Sequence, residues 1–279
     1  GGGSTSFLLS DFNQLSPLEQ VAVSTAGMEA DEILAHRLSK KIYKRGSLDY
    51  REGILYLMTQ HDQTLYVRGV RDGDELNSGN DVTSYISGVN AYQGSEELTA
   101  KNLKKRALIN YIDPLTYLSV WSWWNYAHGA ETSVDVPYLP IGDLKVLPRL
   151  RMHLAPYGTE YAVQSFGSYY DLNGFAYLRF GNNGDSNSYA VGFESDDFWS
   201  DGELTLGGRM DLWSQPPIKS GSATESTKFG VHASVRGDYQ LWEDFGLFAE
   251  LGAKTRGFLP GEPLGQEVIL RLGVFALSY

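Results

Sequence analysis

The chain has 279 residues, no cysteine, and 34 acidic against 23 basic side chains, for a net charge of −11. The acidic balance argues against a nucleic-acid partner, and the missing cysteines remove disulfides, thiolate catalysis and cysteine metal sites. No run approaches the roughly 20 apolar residues that a membrane-spanning helix needs, so a helical membrane protein is excluded as well.

Gly1-Gly2-Gly3-Ser4 reads as a flexible opening, and residues 1–15 are expected to be a flexible N-terminus. No signal-peptide pattern follows, so an exported protein is expected to be represented here by its mature form or a processed piece. Residues 16–130 read as helical. Ser16-Pro17-Leu18-Glu19 carries a cap, a proline suited to the first helical position and a capping-box glutamate, which predicts a helix over 17–44, interrupted near Gly27. Asp49 is expected to cap a second helix to about Tyr66, Asp81 to open a short third, and Ser95 to cap a fourth over 96–112. Asp113-Pro114 repeats the cap-then-proline signal before 115–127. Arg71-Asp72-Gly73-Asp74 and Asn77-Ser78-Gly79-Asn80 are turn chemistry. Residues 131–145, with Pro137, Pro140 and Gly142, read as a linker.

From residue 146 the periodicity changes from helical to two-fold. Leu204, Leu206, Met210 and Leu212 alternate with Glu203, Thr205, Arg209 and Asp211. Phe229, Val231, Ala233, Val235, Tyr239 and Leu241 alternate with His232, Ser234, Arg236, Asp238 and Gln240. Strict alternation means strands with two chemically opposite faces. Eight such runs are predicted, at 146–155, 160–170, 175–181, 188–195, 203–213, 229–241, 245–254 and 266–279. The runs at 203–213, 229–241 and 245–254 are about as long as a tilted strand needs to cross a bilayer, and their charges keep to one side. The 18 tyrosines and 6 tryptophans suit aromatic girdles, though they would also suit a large soluble β-rich protein.

With these runs, short turns alternating with longer loops, and Phe275, Leu277 and terminal Tyr279 on alternate positions, the chain resembles bacterial outer-membrane β-barrel proteins as a class. The resemblance covers about half the chain, and Arg271 and Gly273 depart from the terminal aromatic pattern. It implies an α+β protein: a helical region followed by an antiparallel, eight-stranded transmembrane β-barrel over 146–279, apolar outside and polar within. It further implies a bacterial outer-membrane location, with the helical region on the periplasmic side.

Two constellations bear chemistry. Glu29, Glu32 and His36 share one helix face at spacings of three and four, which suits a metal site if a second helix completes it; His61-Asp62 is the loose candidate for that role. The bland alternative is a solvated face broken by Lys40, Lys41 and Lys44. On the polar side of the strands, Arg149, Arg151, His153, Glu160, Arg179, Glu203, Arg209, Asp211, His232, Arg236, Asp238, Glu250 and Lys254 mix both signs. Such charges in a narrow barrel are expected to pair. The catalytic alternative is His232 with Asp211 or Asp238, and Ser234 as nucleophile. Asp196-Asp197, Asp201 and Glu203 fit no calcium-loop spacing. No cofactor motif is present.

The expected function is therefore an outer-membrane protein whose barrel anchors a helical region, with bilayer lipid and a protein bound through the helices as partners and no catalysis. The alternatives are a membrane-embedded enzyme acting on lipid or envelope polymer, and a soluble β-rich binding protein. Because the predicted helices look apolar around much of their circumference and a narrow barrel has little room, the helical region is expected to pack on the barrel rim or on another protein.

Overall fold

The computed structural model describes residues 15, 17–70, 80–170, 172–183, 186–217, 229–242 and 245–276. The opening glycines, Ser16, the turn residues 71–79, Asp171, Leu277 and Tyr279 lie outside them. The architecture is α+β, an N-terminal helical region followed by one large antiparallel sheet.

Helix α1 (Pro17–Arg45) runs without a break through Gly27 and stops at Gly46, whose φ of 79° provides the left-handed end. Strand β1 (Ser47–Asp49) follows. Asp49 caps α2 (Tyr50–Gly69) by accepting the Arg51 N–H at 2.9 Å. Arg51 also holds the Asp49 carboxyl below the usual carboxylate range. The third helix, α3 (Asp81–Gln93), opens at Asp81 as the sequence predicts, with Asn80 as its cap.

The fourth helix is much shorter than expected. α4 (Ala100–Ala107) is capped by Thr99 and gives way to a 3-10 turn at Leu108–Tyr111. Ser95 does not cap it, because Asn90 ties Leu98 down: the Asn90 amide donates to Leu98 O at 2.8 Å and accepts from Leu98 N at 3.1 Å. With these two bonds in place, residues 95–99 stay outside the helix. Asp113 caps α5 (Pro114–Ala127) as the sequence predicts.

The predicted linker is structured. β2 (Ser133–Asp135) pairs with β1, and β3 (Leu139–Ile141) pairs with β4 (Leu144–Ala155). The sheet continues through β5 (Gly158–Tyr169), β6 (Leu172–Asn183), β7 (Ser186–Asp201), β8 (Leu204–Ser214), β9 (Phe229–Trp242), β10 (Phe245–Lys254) and β11 (Glu267–Ala276), each paired with the next. All eight long runs are thus strands, but among the described residues the sheet has nine strands, because β3 adds a short one at the edge. Closure between β11 and β3–β4 is not seen. The expected eight-stranded count is corrected on that ground.

One face of the sheet, here the inner face, carries Arg149, Arg151, Glu160, Arg179, Asp211, His232 and Lys254, all buried. Glu203 is not among them; it lies exposed in the turn between β7 and β8. The outer positions of β8 to β11, fixed by their register, carry no charge and expose Met210, Leu212, Val235, Leu251, Leu270 and Leu272. β11 corrects one expectation. Phe275 sits on the inner side opposite Gly246, whereas Val268, Leu270, Leu272 and Val274 form the outer row.

Helix α1 packs on the inner face, not on a rim. Its buried residues Ala35, Ile42 and Tyr43 cluster with the inner-face residues Leu147, Phe166 and Phe175 of β4, β5 and β6, while Val21 and Met28, nearer its start, share a second cluster with the other helices and with Met152 and Leu154 on the opposite parity of β4. The free edge of β4 is satisfied by the helical region. Leu150 N–H donates to Ile112 O at 2.9 Å, Met152 N–H donates to Asn110 Oδ1 at 2.7 Å, and Gln63 donates to Met152 O at 3.4 Å. A strand edge left open would carry unmet backbone groups.

Candidate functional site

The charged inner face is where chemistry is concentrated, and strand parity builds it. Alternate residues of β4 (Arg149, Arg151, His153) point at α1, whose i, i+4, i+7 positions return Glu32, His36 and Ser39. Glu32 pairs with Arg151 at 3.1 Å and with His153. Burial pulls the Glu32 carboxyl upward, but the charges of Arg151 and His153 outweigh it and lower its pKa to about 2. Arg149 is a hub. It donates to Gln164 at 2.7 Å, to Ser39 at 2.9 Å and to Tyr56 at 3.2 Å, and lies over the Phe166 ring. Tyr56 in turn donates to the Asp113 cap.

Further along α1, His36 lies 3.3 Å from Glu194 and edge-on to Phe175. Lys40 pairs with Glu194 and, at 2.6 Å, with Asp196; Lys44 pairs with Asp197 at 2.8 Å. Of the three lysines that the sequence presents as a solvated break, Lys40 and Lys44 therefore clamp α1 onto β7, while Lys41 pairs with Glu52 of α2 at 3.1 Å.

Glu29, Glu32 and His36 do lie along one face, but they meet different partners. Glu29 accepts the Gly261 N–H at 2.6 Å from the β10–β11 loop. Burial, opposed by that bond and reinforced by Glu32, pushes the Glu29 pKa up to about 7. His61, from the suggested second helix, bonds Thr116 at 2.9 Å instead. Among the described residues, no group of three His, Asp or Glu side chains converges as a metal site would require.

The remaining inner-face charges pair among the strands. Glu160 and Arg179 form an ion pair at 2.8 Å, and Tyr157 donates to Glu160 at 2.7 Å. Arg179 also lies over Phe258. Lys254 donates to the carbonyls of Gly257 at 2.7 Å and Pro263 at 2.6 Å, which folds the β10–β11 loop inward onto α1. Asp238 pairs with Arg236 at 2.8 Å, so it is not the partner of His232.

That partner is Asp211, 2.8 Å from His232 Nδ1, with Tyr177 and Arg209 on the same carboxylate at 2.7 and 2.8 Å. Among the described residues, His232 Nε2 has no hydrogen-bond partner. Ser234 is two residues on along the same face of β9, buried like His232. The sequence-predicted Asp–His pair is thus formed, yet the His232 side chain is fully enclosed. Two small cavities adjoin α1: about 10 Å³ beside Glu32 and His153, and about 20 Å³ beside Lys40 and Glu194. The first accommodates at most one water and the second little more.

Comparison of the chain with protein-family models, with curated proteins and with solved structures finds no match.

Proposed function

We propose that the chain is a bacterial outer-membrane protein of the β-barrel type, its sheet curled around α1 and embedded in lipid, acting as an anchored scaffold for the helical region rather than as an enzyme. The observation that carries this is the inversion of the sheet. Its outer face is uncharged and apolar over β8 to β11, while Arg151, Glu160, Arg179, Asp211 and His232 are buried on the inner face. A sheet in water does the reverse, burying its apolar side and solvating its charges. Lipid supplies the missing cover and makes the polar face the internal one. Bilayer lipid is accordingly the proposed partner of the sheet, and the described inner face, with its paired charges, is a structural seam.

The second reading, a membrane-embedded hydrolase, is favoured by the Asp211–His232 pair and its open Nε2. Against it stands the enclosure of His232, which leaves a substrate no approach to that nitrogen.

The anchored-scaffold reading is tested by fractionation of cells producing the full chain. The protein is expected to stay with outer membranes through an alkaline carbonate wash and to need detergent for release. A monodisperse, detergent-free soluble protein would overturn it. Turnover of phospholipid that disappears in His232→Ala would favour the hydrolase.

A further inference from the structure

Two helices share the inversion of the sheet. Between Glu52 and Val67 of α2, the exposed residues are Ile54, Leu55, Met58, Leu65 and Tyr66. The buried ones include Thr59, Gln60, His61, Gln63 and Thr64. α5 is built likewise. It contains no charged residue, exposes Tyr117, Val120, Trp121, Trp123, Trp124 and Tyr126, and buries Thr116, Ser119 and Ser122 beside Leu115. A helix on a protein in water turns its apolar stripe to the core. Here the polar stripe is internal and has partners: Gln60 with Arg151, Gln63 with Met152 O, Thr64 with Asn110, and His61 with Thr116.

The seam between these helices is made of small residues. A Cβ on Gly53 would stand 3.0 Å from Ser122 Oγ and 3.2 Å from Ser119 Cα. Close approach through glycine and serine is how helices associate where no hydrophobic drive exists between them, as in lipid.

We infer that α2 and α5 form a lipid-facing part of the wall beside β4, their outer faces covered by acyl chains. This rests on the membrane reading of the sheet and extends it to the helical region. Three observations favour lipid over a protein partner. First, the apolar surface is continuous with that of the sheet at the one edge where helices take over. The outer residues Met152 and Leu154 of β4 are buried under the helical region, whereas Val163 and Leu178 on β5 and β6 are exposed. Second, the 20 residues of α2 rise about 30 Å, the thickness of a hydrocarbon core, with Arg51 and Arg68 exposed near its two ends. Third, the Arg51 end is aromatic. Tyr50 stacks on Tyr126 at 3.8 Å, and Trp123 and Trp124 lie one turn back on α5. Tryptophan and tyrosine prefer the headgroup level. No described helix is long and apolar enough to be a membrane span in its own right. α2 misses that criterion through the buried polar residues of its inner face together with Arg51, Glu52 and Arg68 toward its ends and the half-buried Asp62 between Met58 and Leu65.

The chain has no cysteine, so single cysteines can be placed at will. Met58→Cys, Leu65→Cys and Val120→Cys report on the helices, and Leu212→Cys on the sheet. Each is labelled with bimane in the full chain, reconstituted into phosphatidylcholine vesicles with plain or brominated acyl chains. The expected result is bromine quenching at the helix sites as deep as at Leu212, with protection from aqueous iodide at all four. Bromine quenching at Leu212 alone, with iodide reaching the helix sites, overturns the inference and leaves the membrane reading standing. Helix sites shielded from both quenchers would mean that a protein or a second copy covers them, and also overturns it. Iodide quenching at Leu212 would remove the membrane reading and this inference together.

Discussion

Glu160 and Arg179 meet at 2.8 Å with both side chains 1% exposed, on neighbouring strands β5 and β6. Neither charge can be solvated if the other is removed. Arg179→Leu is therefore expected to destabilise the protein by about 3–5 kcal/mol, read as a lower unfolding midpoint in mild detergent. The double variant Glu160→Leu/Arg179→Leu should recover a large part of that loss, because the cost lies in the orphaned carboxylate. A double variant no more stable than the single one would mean that the pair is solvated.

Two glycines in helices should respond oppositely to alanine. Gly53 is packed on Leu48, Ser119 and Ser122, so Gly53→Ala forces α2 from α5 and costs about 1–3 kcal/mol. Gly27, in α1, has nothing within 4 Å of a built Cβ. Gly27→Ala should gain up to about 1 kcal/mol from helix propensity. Denaturant unfolding of both variants checks the contrast.

The pH dependence of stability should carry the mark of Glu29. Its folded pKa is raised from 4.5 to about 7 by burial. The folded state holds this proton more tightly than the unfolded chain, so the contribution is full below pH 4.5 and is lost as pH rises through 7. Glu29→Gln keeps an acceptor for the Gly261 N–H and removes the titration. The variant should match the parent near pH 4 and exceed it at pH 8 by up to about 3 kcal/mol, measured as thermal midpoints at the two values.

Arginine on the outer face should impair insertion. Val231 and Leu206 occupy outer positions of β9 and β8, and Val231→Arg or Leu206→Arg puts a charge against acyl chains at about 2–4 kcal/mol near the midplane. Lower yields in the outer-membrane fraction are expected, with Thr205→Arg as an inner-parity control. Normal insertion of all three would show the outer face to be in water.

The sheet was legible where only one face is apolar. In β8, β9 and β10 the alternation is clean, and the observed strands match the predicted runs to within a residue. β4 alternates as cleanly, Leu150, Met152 and Leu154 against Arg149, Arg151 and His153, but it is buried on both faces, and the cover that the helical region gives Met152 and Leu154 is not encoded in that pattern. The fourth helix is shorter than its sequence pattern predicts because Asn90 reaches eight residues forward to Leu98, a contact that no local pattern encodes. The Glu29–Glu32–His36 face could be read, but its partners could not. Arg151, His153 and Glu194 come from more than 100 residues away, and strand register alone brings them there. The same limit applied to the helices. Their apolar stretches, such as Ile54 to Met58 and Val120 to Trp124, imply from sequence alone a need for cover on several sides. The structure instead puts hydroxyl, amide and imidazole groups inside and the apolar residues out.

The most direct test of the central claim is a nitroxide scan along β9, one cysteine at a time from Ala233 to Asp238, in the protein reconstituted into lipid. A period of two is expected: labels at 233, 235 and 237 collide with oxygen in the bilayer and not with aqueous nickel, while those at 234, 236 and 238 are sheltered from the bilayer. Nickel access at 233, 235 and 237 would contradict it, because the apolar face would then be facing water.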